Sequence, residues 1–587
     1  MRMDRTSRGW AWIVPLVGWV VATIGLGPVR LAASEPDRSG TTAAEAERTI
    51  DAHVSAGEFG PAIEVAARLT DRSERDRFWE RIALAQSSAN VPVGSQATLA
   101  RIQDDRARTR AVDAIREQPI GGARGGVTEA DFDPLINLIT STIAPDSWET
   151  NGGNGAIEPF VAGVYVDAEG VLRRIEDAEP ERLDALRRVS RGRSSTGDPR
   201  TFSELRKVSL TRLEREVQLR WMAGQSPDEA MGRLAGLTRI RYVFLYPDTR
   251  DIVIAGPAAG WTTDALGNSV SDRDGAPVLR LDDLVVLMRG SADADGAFGC
   301  SIDPRPEHLE RTRRFLDASA ATPLRADRRD AWIGELRERL GRQDVSVFGI
   351  DPRSRPARVL VEADYRMKRV GIGLEPGPLG VPSYLEMAAA EEAGESMAVL
   401  RWWFAMHYDA VRTNADRSAF SMEGPAVRVL SENEWLTERG RRVPTGGSDD
   451  KSQRFADAFN RHYDAIAAKY PVYAELRGLF DLALAARLID RESLRDRADW
   501  HAPHFSDAER FVVPNDAPPR EVDSVANHRV VNQKRIVAAV SGGVHARPSR
   551  WTDPQAIQAD STGRVAYEYR NQSPAERRVP ERNWWWD

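Results

Sequence analysis

Two imidazoles and two carboxylates fall within nine residues in Asp499-Trp500-His501-Ala502-Pro503-His504-Phe505-Ser506-Asp507. These groups hold zinc and similar divalent ions, and a zinc-bound water is acidic enough to attack a polymer linkage. His501 and His504 are therefore the candidate metal ligands. Pro503 lies between them and breaks the helical face that usually aligns paired histidines, and no third ligand is fixed by spacing. Solvated loop residues are the competing reading, and under it the chain carries no cofactor.

Other groups invite acid–base or binding chemistry. Asp303 and Asp351 share an Ile-Asp-Pro context after apolar runs. At the ends of neighbouring strands they would face one cleft and divide acid and base roles; aspartate before proline is equally a strand-ending turn. Asp364, Arg366 and Lys368 alternate with Tyr365 and Met367, as on a strand with one wet face. That face would be an anion site or a salt-bridged surface. Trp402, Trp403 and Phe404 would form an aromatic platform for sugars or peptides, although successive strand residues point both ways and one set must be core. Ser541-Gly542-Gly543 reads as a hairpin end or an anion nest. Cys300 is the single cysteine; it reads as a buried strand residue, and no internal disulfide is possible. G-x-S-x-G, H-E-x-x-H and the lysine-bearing phosphate loop do not occur.

The elements that would position these groups follow from the rest of the chain. Arg2, Arg5 and Arg8 precede an uncharged run from Trp10 to Leu26, followed by Ala32-Ala33-Ser34. A charged start, an apolar centre and a small-residue end make an export signal. The apolar run reaches about 25 Å as a helix, so a retained membrane anchor over residues 10–26 is the other reading. From residue 42 to 118 the chain is rich in Ala, Glu and Arg, and Ala67-Arg68-Leu69-Thr70-Asp71 recurs as Ala100-Arg101-Ile102-Gln103-Asp104. That 33-residue offset is the length of a helix-turn-helix repeat. Gly121-Gly122-Ala123-Arg124-Gly125-Gly126 is a linker. Beyond it, Ser226-Pro227-Asp228-Glu229 predicts a capped helix to about Leu237, and Ile240–Tyr246 with Asp251–Ala255 predicts a hairpin. Strand–helix–helix–strand is expected from Phe298 to Ile350, two amphipathic helices from Phe455 to Leu488, and a last hairpin over Val530–Val540. A net charge of −7 gives no footprint for nucleic acid.

The stretches Ala255–Trp261, Leu281–Val286, Cys300–Pro304, Phe348–Pro352, Glu362–Lys368, Arg401–Phe404 and Val537–Val544 together resemble a DUF1598-like family of exported planctomycete proteins whose function is not established. The segment Leu135–Trp148 with Gly152–Ile157 also resembles a motif of exported planctomycete proteins and, more distantly, the small helix-plus-strands domain of outer-membrane secretins and receptors. The resemblance spans about residues 130–545 and implies export, but no activity or catalytic residue.

The expected fold is α+β and multidomain. A signal or anchor occupies 1–34, a helical repeat-like module 35–120, a Gly-rich linker 121–126, an α/β region with helix–hairpin units 127–350, a second α+β region 351–545, and a disordered, tryptophan-ended tail 546–587. The expected function is that of an exported, non-catalytic protein of the periplasm or cell envelope that binds other envelope proteins or envelope material. Its only membrane contact would be the N-terminal segment. The alternative is a metal-assisted hydrolase of envelope polymers, with His501 and His504 holding zinc or a similar ion.

Overall fold

A computed structural model describes residues 43–89, 91–117, 156–160, 163–167, 197–264, 267–290, 296–320, 326–391, 396–436, 442–531 and 534–587. The export segment, the glycine linker and the helix expected near Leu135 lie outside these residues. Among the described residues, no helix is long and apolar enough to cross a membrane.

The N-terminal helices carry the repeat. Phe59–Ala67 and Arg72–Ser88 form one helix pair; Pro92–Leu99 and Asp105–Glu117 form the next, each helix starting 33 residues after its counterpart. The matched residues do matched work. Asp71 and Asp104 each accept a backbone N–H three residues on, from Glu74 and Ala107, at 2.8 and 2.6 Å, and so cap the longer helices. Arg75 and Arg108 each donate to the carbonyl six residues earlier, of Leu69 and Ile102, at 3.3 and 3.0 Å. Phe78, Trp79, Ile82, Leu99, Ile102 and Val112 make a core of their own, which Leu219 of the following helix Leu210–Met222 completes. That shared core joins the module to the body.

Two sheets build the body, which is mixed α+β as expected. The first runs in the order Arg442–Pro444, Ala426–Leu436, Ser396–His407, Lys534–Ala546, Phe298–Pro304, Arg342–Phe348, Glu521–Asp523, with Ala526–Val531 also on Lys534–Ala546. Among the described residues, only Ser396–His407 and Lys534–Ala546 pair in parallel within it. The second runs Ile557–Ala559, Ala410–Thr413, Ala419–Glu423, Tyr242–Tyr246, Asp251–Ala258, Ser203–Ser209, Trp585–Trp586. The predicted hairpin is its centre, with Val243 opposite Ile254 and Leu245 opposite Ile252.

The helix Val472–Arg491 packs on both sheets. Its buried Asp481 accepts from the Arg239 guanidinium, from the Tyr408 hydroxyl at 3.0 Å and from the Ile240 N–H at 3.3 Å. One carboxylate thus binds the strands that lead into each sheet. Arg355 ties helices in the same way, reaching Asp283 at 2.6 Å and Glu475 at 2.5 Å. A carboxylate stripped of water is tolerable only with such donors around it.

Three local expectations are corrected. The capped helix near Ser226 starts on Asp228, whose side chain accepts from Met231 N–H at 2.9 Å, and spans only Glu229–Gly232. Asp364, Arg366 and Lys368 belong to the helix Arg355–Gly371, not a strand; Ser354 caps it, and Val359, Ala363, Met367 and Val370 bury at helical spacing. The last hairpin is present, but its second strand runs straight through Ser541-Gly542-Gly543 to Ala546.

The largest correction is the tail. Residues 546–587 are ordered, not disordered, because the second sheet has two apolar faces. Val243, Leu245, Ile252 and Ile254 face the central core, while Tyr242, Phe244, Tyr246, Val253 and Ala255 face outward. The tail covers that outer face with Val565 and Trp586, and Trp585–Trp586 pairs antiparallel with Val208 and Lys207. Arg206, wholly buried, clasps the Asp587 carboxylate through Nε and Nη2 at 2.8 and 2.9 Å, and the Lys207 ammonium donates to the Glu568 and Asn571 carbonyls.

Candidate binding cleft

The histidine-bearing loop lies where the helical module meets the body. His501 donates its backbone N–H to Asp105 at 2.6 Å, and its Nδ1 lies 3.2 Å from the same carboxylate. Three residues on, the His504 and Phe505 N–H groups both donate to Glu214 at 2.8 Å, and Trp500 Nε1–H donates to its other oxygen at 2.6 Å. The His504 ring is buried edge-on against Trp221 and Phe511, with centroids 5.3 and 6.1 Å away. Burial, and after it the charge of Arg510, pushes this imidazole down to about 4. Asp499 pairs with Arg250, and Asp507 with Arg510 at 3.0 Å. The four candidate donors are therefore spread over separate partners. Among the described residues, no group of three or more His, Cys, Asp or Glu is arranged to hold a metal ion.

Asp303 and Asp351 do not share a cleft. Their strands are neighbours but antiparallel: Asp303 is level with Asp344, whereas Asp351 follows the far end, beyond Phe348 opposite Gly299. The Ile-Asp-Pro contexts suggested matching strand ends, which only a parallel pair would bring together. Asp351 instead accepts from Arg353 N–H at 2.9 Å and pairs with its guanidinium at 3.1 Å, which holds its carboxyl below the usual range. Asp364 and Lys368 pair at 2.6 Å with neither side chain exposed, while Arg366 points elsewhere, to Glu375 at 3.2 Å. Cys300 is fully buried, and burial pushes its thiol well up, so it is no nucleophile at neutral pH.

The aromatic triplet divides as strand geometry requires. Trp402 and Phe404 face the helices. Trp402 lies 4.4 Å from Phe455 and donates Nε1–H to Ser452 at 2.9 Å, and Phe404 lies 5.8 Å from Phe459. A Cβ on Gly371 would come within 2.3 Å of the Trp402 ring, so helix and strand meet this closely only at glycine. Trp403 is on the other face with Arg401, whose guanidinium sits 5.0 Å from the indole centre.

There it forms the floor of an open cleft of about 340 Å³. Ala405, Met406, Leu430 and Trp551 complete the apolar part, and Arg401, Arg547, Arg550 and His545 supply the polar part. No carboxylate is among the lining residues; Glu432 stands beside, 3.5 Å from Arg401. Burial, then Arg401 and Arg547, holds the His545 imidazole below its ordinary range, so it is neutral at pH 7. Trp403 was legible as a platform residue; Arg547, Arg550 and Trp551 were not, because a polar, arginine-rich composition reads as disorder. A larger cavity, about 700 Å³, lies between the helix Arg564–Arg570 and the second sheet, but Glu204, Glu423, Glu568 and Asp587 line it alongside Arg241 and Arg564, so charges of both signs share its wall.

No curated protein and no solved structure matches the chain. Residues 300–384 match the family described as protein of unknown function (DUF1598), a narrower span than the sequence resemblance. The matched stretch runs from Cys300 through the Asp303–Asp344 strand pair and the whole helix Arg355–Gly371 to Tyr384, and it holds the buried Asp364–Lys368 pair.

Proposed function

We propose that this chain is an exported, non-catalytic protein of the periplasm or cell envelope, and that it binds envelope proteins or envelope material through the Arg401–Trp403–Trp551 cleft. The observation that carries this reading is the cleft itself: an apolar floor with two indoles, ringed by guanidinium groups, on the sheet face opposite the helices that bury Trp402 and Phe404. Such a surface binds by stacking and charge. Asp351 and Asp364 are held in ion pairs, the His501 ring lies against Asp105 at the module–body junction, and the His504 ring is buried among aromatic side chains. The charged-then-apolar start supplies the export half of the proposal.

Cell fractionation of the full chain, with co-sedimentation of purified residues 35–587 on isolated envelopes, tests it. Recovery in the envelope or periplasmic fraction, with saturable co-sedimentation that Trp403→Ala weakens, is the expected result. A cytoplasmic protein that stays in the supernatant would refute it.

A further inference from the structure

We infer that the cleft takes an acidic polysaccharide, a chain of sugar rings bearing carboxylates; this rests on the binding-protein reading above. Charge complementarity comes first. Arg401, Arg547 and Arg550 line the cleft, and Arg428, exposed on the neighbouring strand, is level with Ala405 and so on the same face. Guanidinium forks match carboxylates in pairs of hydrogen bonds.

The second argument is spacing. Arg401 pairs with Ser541, and Arg547 follows Ser541 by six residues, one past the end of that strand at Ala546. Six extended residues span at most about 20 Å, so the arginines follow one another along the cleft. A small anion needs converging donors, whereas cations strung along a strand suit a polymer with repeated charges.

The third is the nature of the floor. Trp403 and Trp551 are both half-exposed, and indole faces suit the C–H faces of sugar rings. An acidic peptide would bind best at a sheet edge, where backbone groups are unpaired. This cleft lies instead over Ser396–His407, which is paired on both sides, so it offers side chains and no ladder. A nucleic acid would bring denser charge against a chain of net −7.

The test is titration of purified residues 35–587 with polygalacturonate, alginate and hyaluronan, against neutral dextran, poly-glutamate and oligo-dT as competing probes. Saturable, salt-sensitive binding to at least one carboxylated glycan is expected, with none to dextran. Arg547→Glu, a change at an exposed side chain that spares the core, should weaken it roughly tenfold, as should Trp403→Ala. Binding that Arg547→Glu leaves unchanged overturns the inference. So does tighter binding of poly-glutamate or oligo-dT, or no glycan binding at all. In each of these cases the envelope co-sedimentation reports separately: if it persists, the binding-protein reading stands without its glycan, and if it is lost, both fall.

Discussion

The two sheets differ in what lies on their second face. The seven-stranded sheet has helices on one side and the 546–587 segment on the other, so Tyr242–Tyr246 is buried at every position. On the eight-stranded sheet the same kind of strand, Ser396–His407, buries Trp402 and Phe404 but leaves Arg401 and Trp403 half-exposed in a cleft. Tryptophan therefore plays two parts within one chain. Trp586, against Phe244 and Val565, is core; Trp403, among guanidinium groups, is surface. An indole is evidence of recognition only where nothing else has claimed its ring.

Substitution puts that contrast to work. Trp586→Ala should cost about 4 kcal/mol in urea unfolding, since it empties a fully packed site; a cost under about 1 kcal/mol would mean that the tail is no true cover. Arg212→Met is next. It leaves Asp251 buried without its 2.6 Å partner, and a loss of about 3 kcal/mol is expected in the same assay.

Acid should act on the module–body junction and on the cleft in opposite senses. The buried His504 imidazole titrates at about 4, below its value near 6.5 in the unfolded chain, so its stabilising contribution is full above pH 6.5 and fades as pH falls toward 4. Between pH 7 and pH 5 the wild type should lose about 2 kcal/mol more than His504→Phe, by denaturant melts at both pH values. In the cleft the sign reverses. Protonating His545, which happens only below the ordinary histidine range, adds a cation beside Arg401 and Arg547. Carboxylated-glycan affinity at constant salt should then rise roughly threefold, and His545→Gln should flatten the rise. Trp403→Ala closes the series, with an expected stability change under about 1 kcal/mol in the melt that separates it from Trp586→Ala.

Legibility followed how local the physics was. The 33-residue repeat was plain because each copy carries its own cap and its own arginine-to-carbonyl bond. The Ile240–Ala255 hairpin was plain for the same reason, as its partner is five residues away. Asp364-Tyr365-Arg366-Met367-Lys368 misled because five residues fit a period of two; the longer run from Val359 to Val370 favours helical spacing. The tail misled because its composition is polar while its few apolar residues meet a face more than 300 residues earlier. A clue was present nonetheless: Tyr242-Val243-Phe244-Leu245-Tyr246 is apolar on both sides, and such a strand needs two covers. The cleft needed the fold, since Trp403 and Trp551 meet only through the parallel pairing of Ser396–His407 with Lys534–Ala546.

The clasp between Arg206 and Asp587 joins residues 381 positions apart. A chain emerging in order, from a ribosome or through a membrane pore, presents Ser203–Ser209 long before Trp585–Trp586 arrives. Until then that strand waits with a bare edge and an uncovered aromatic face, the state most open to misassociation and to proteases. A chain cut short before Trp585 is therefore expected to expose that edge and that face, which faster limited proteolysis would report.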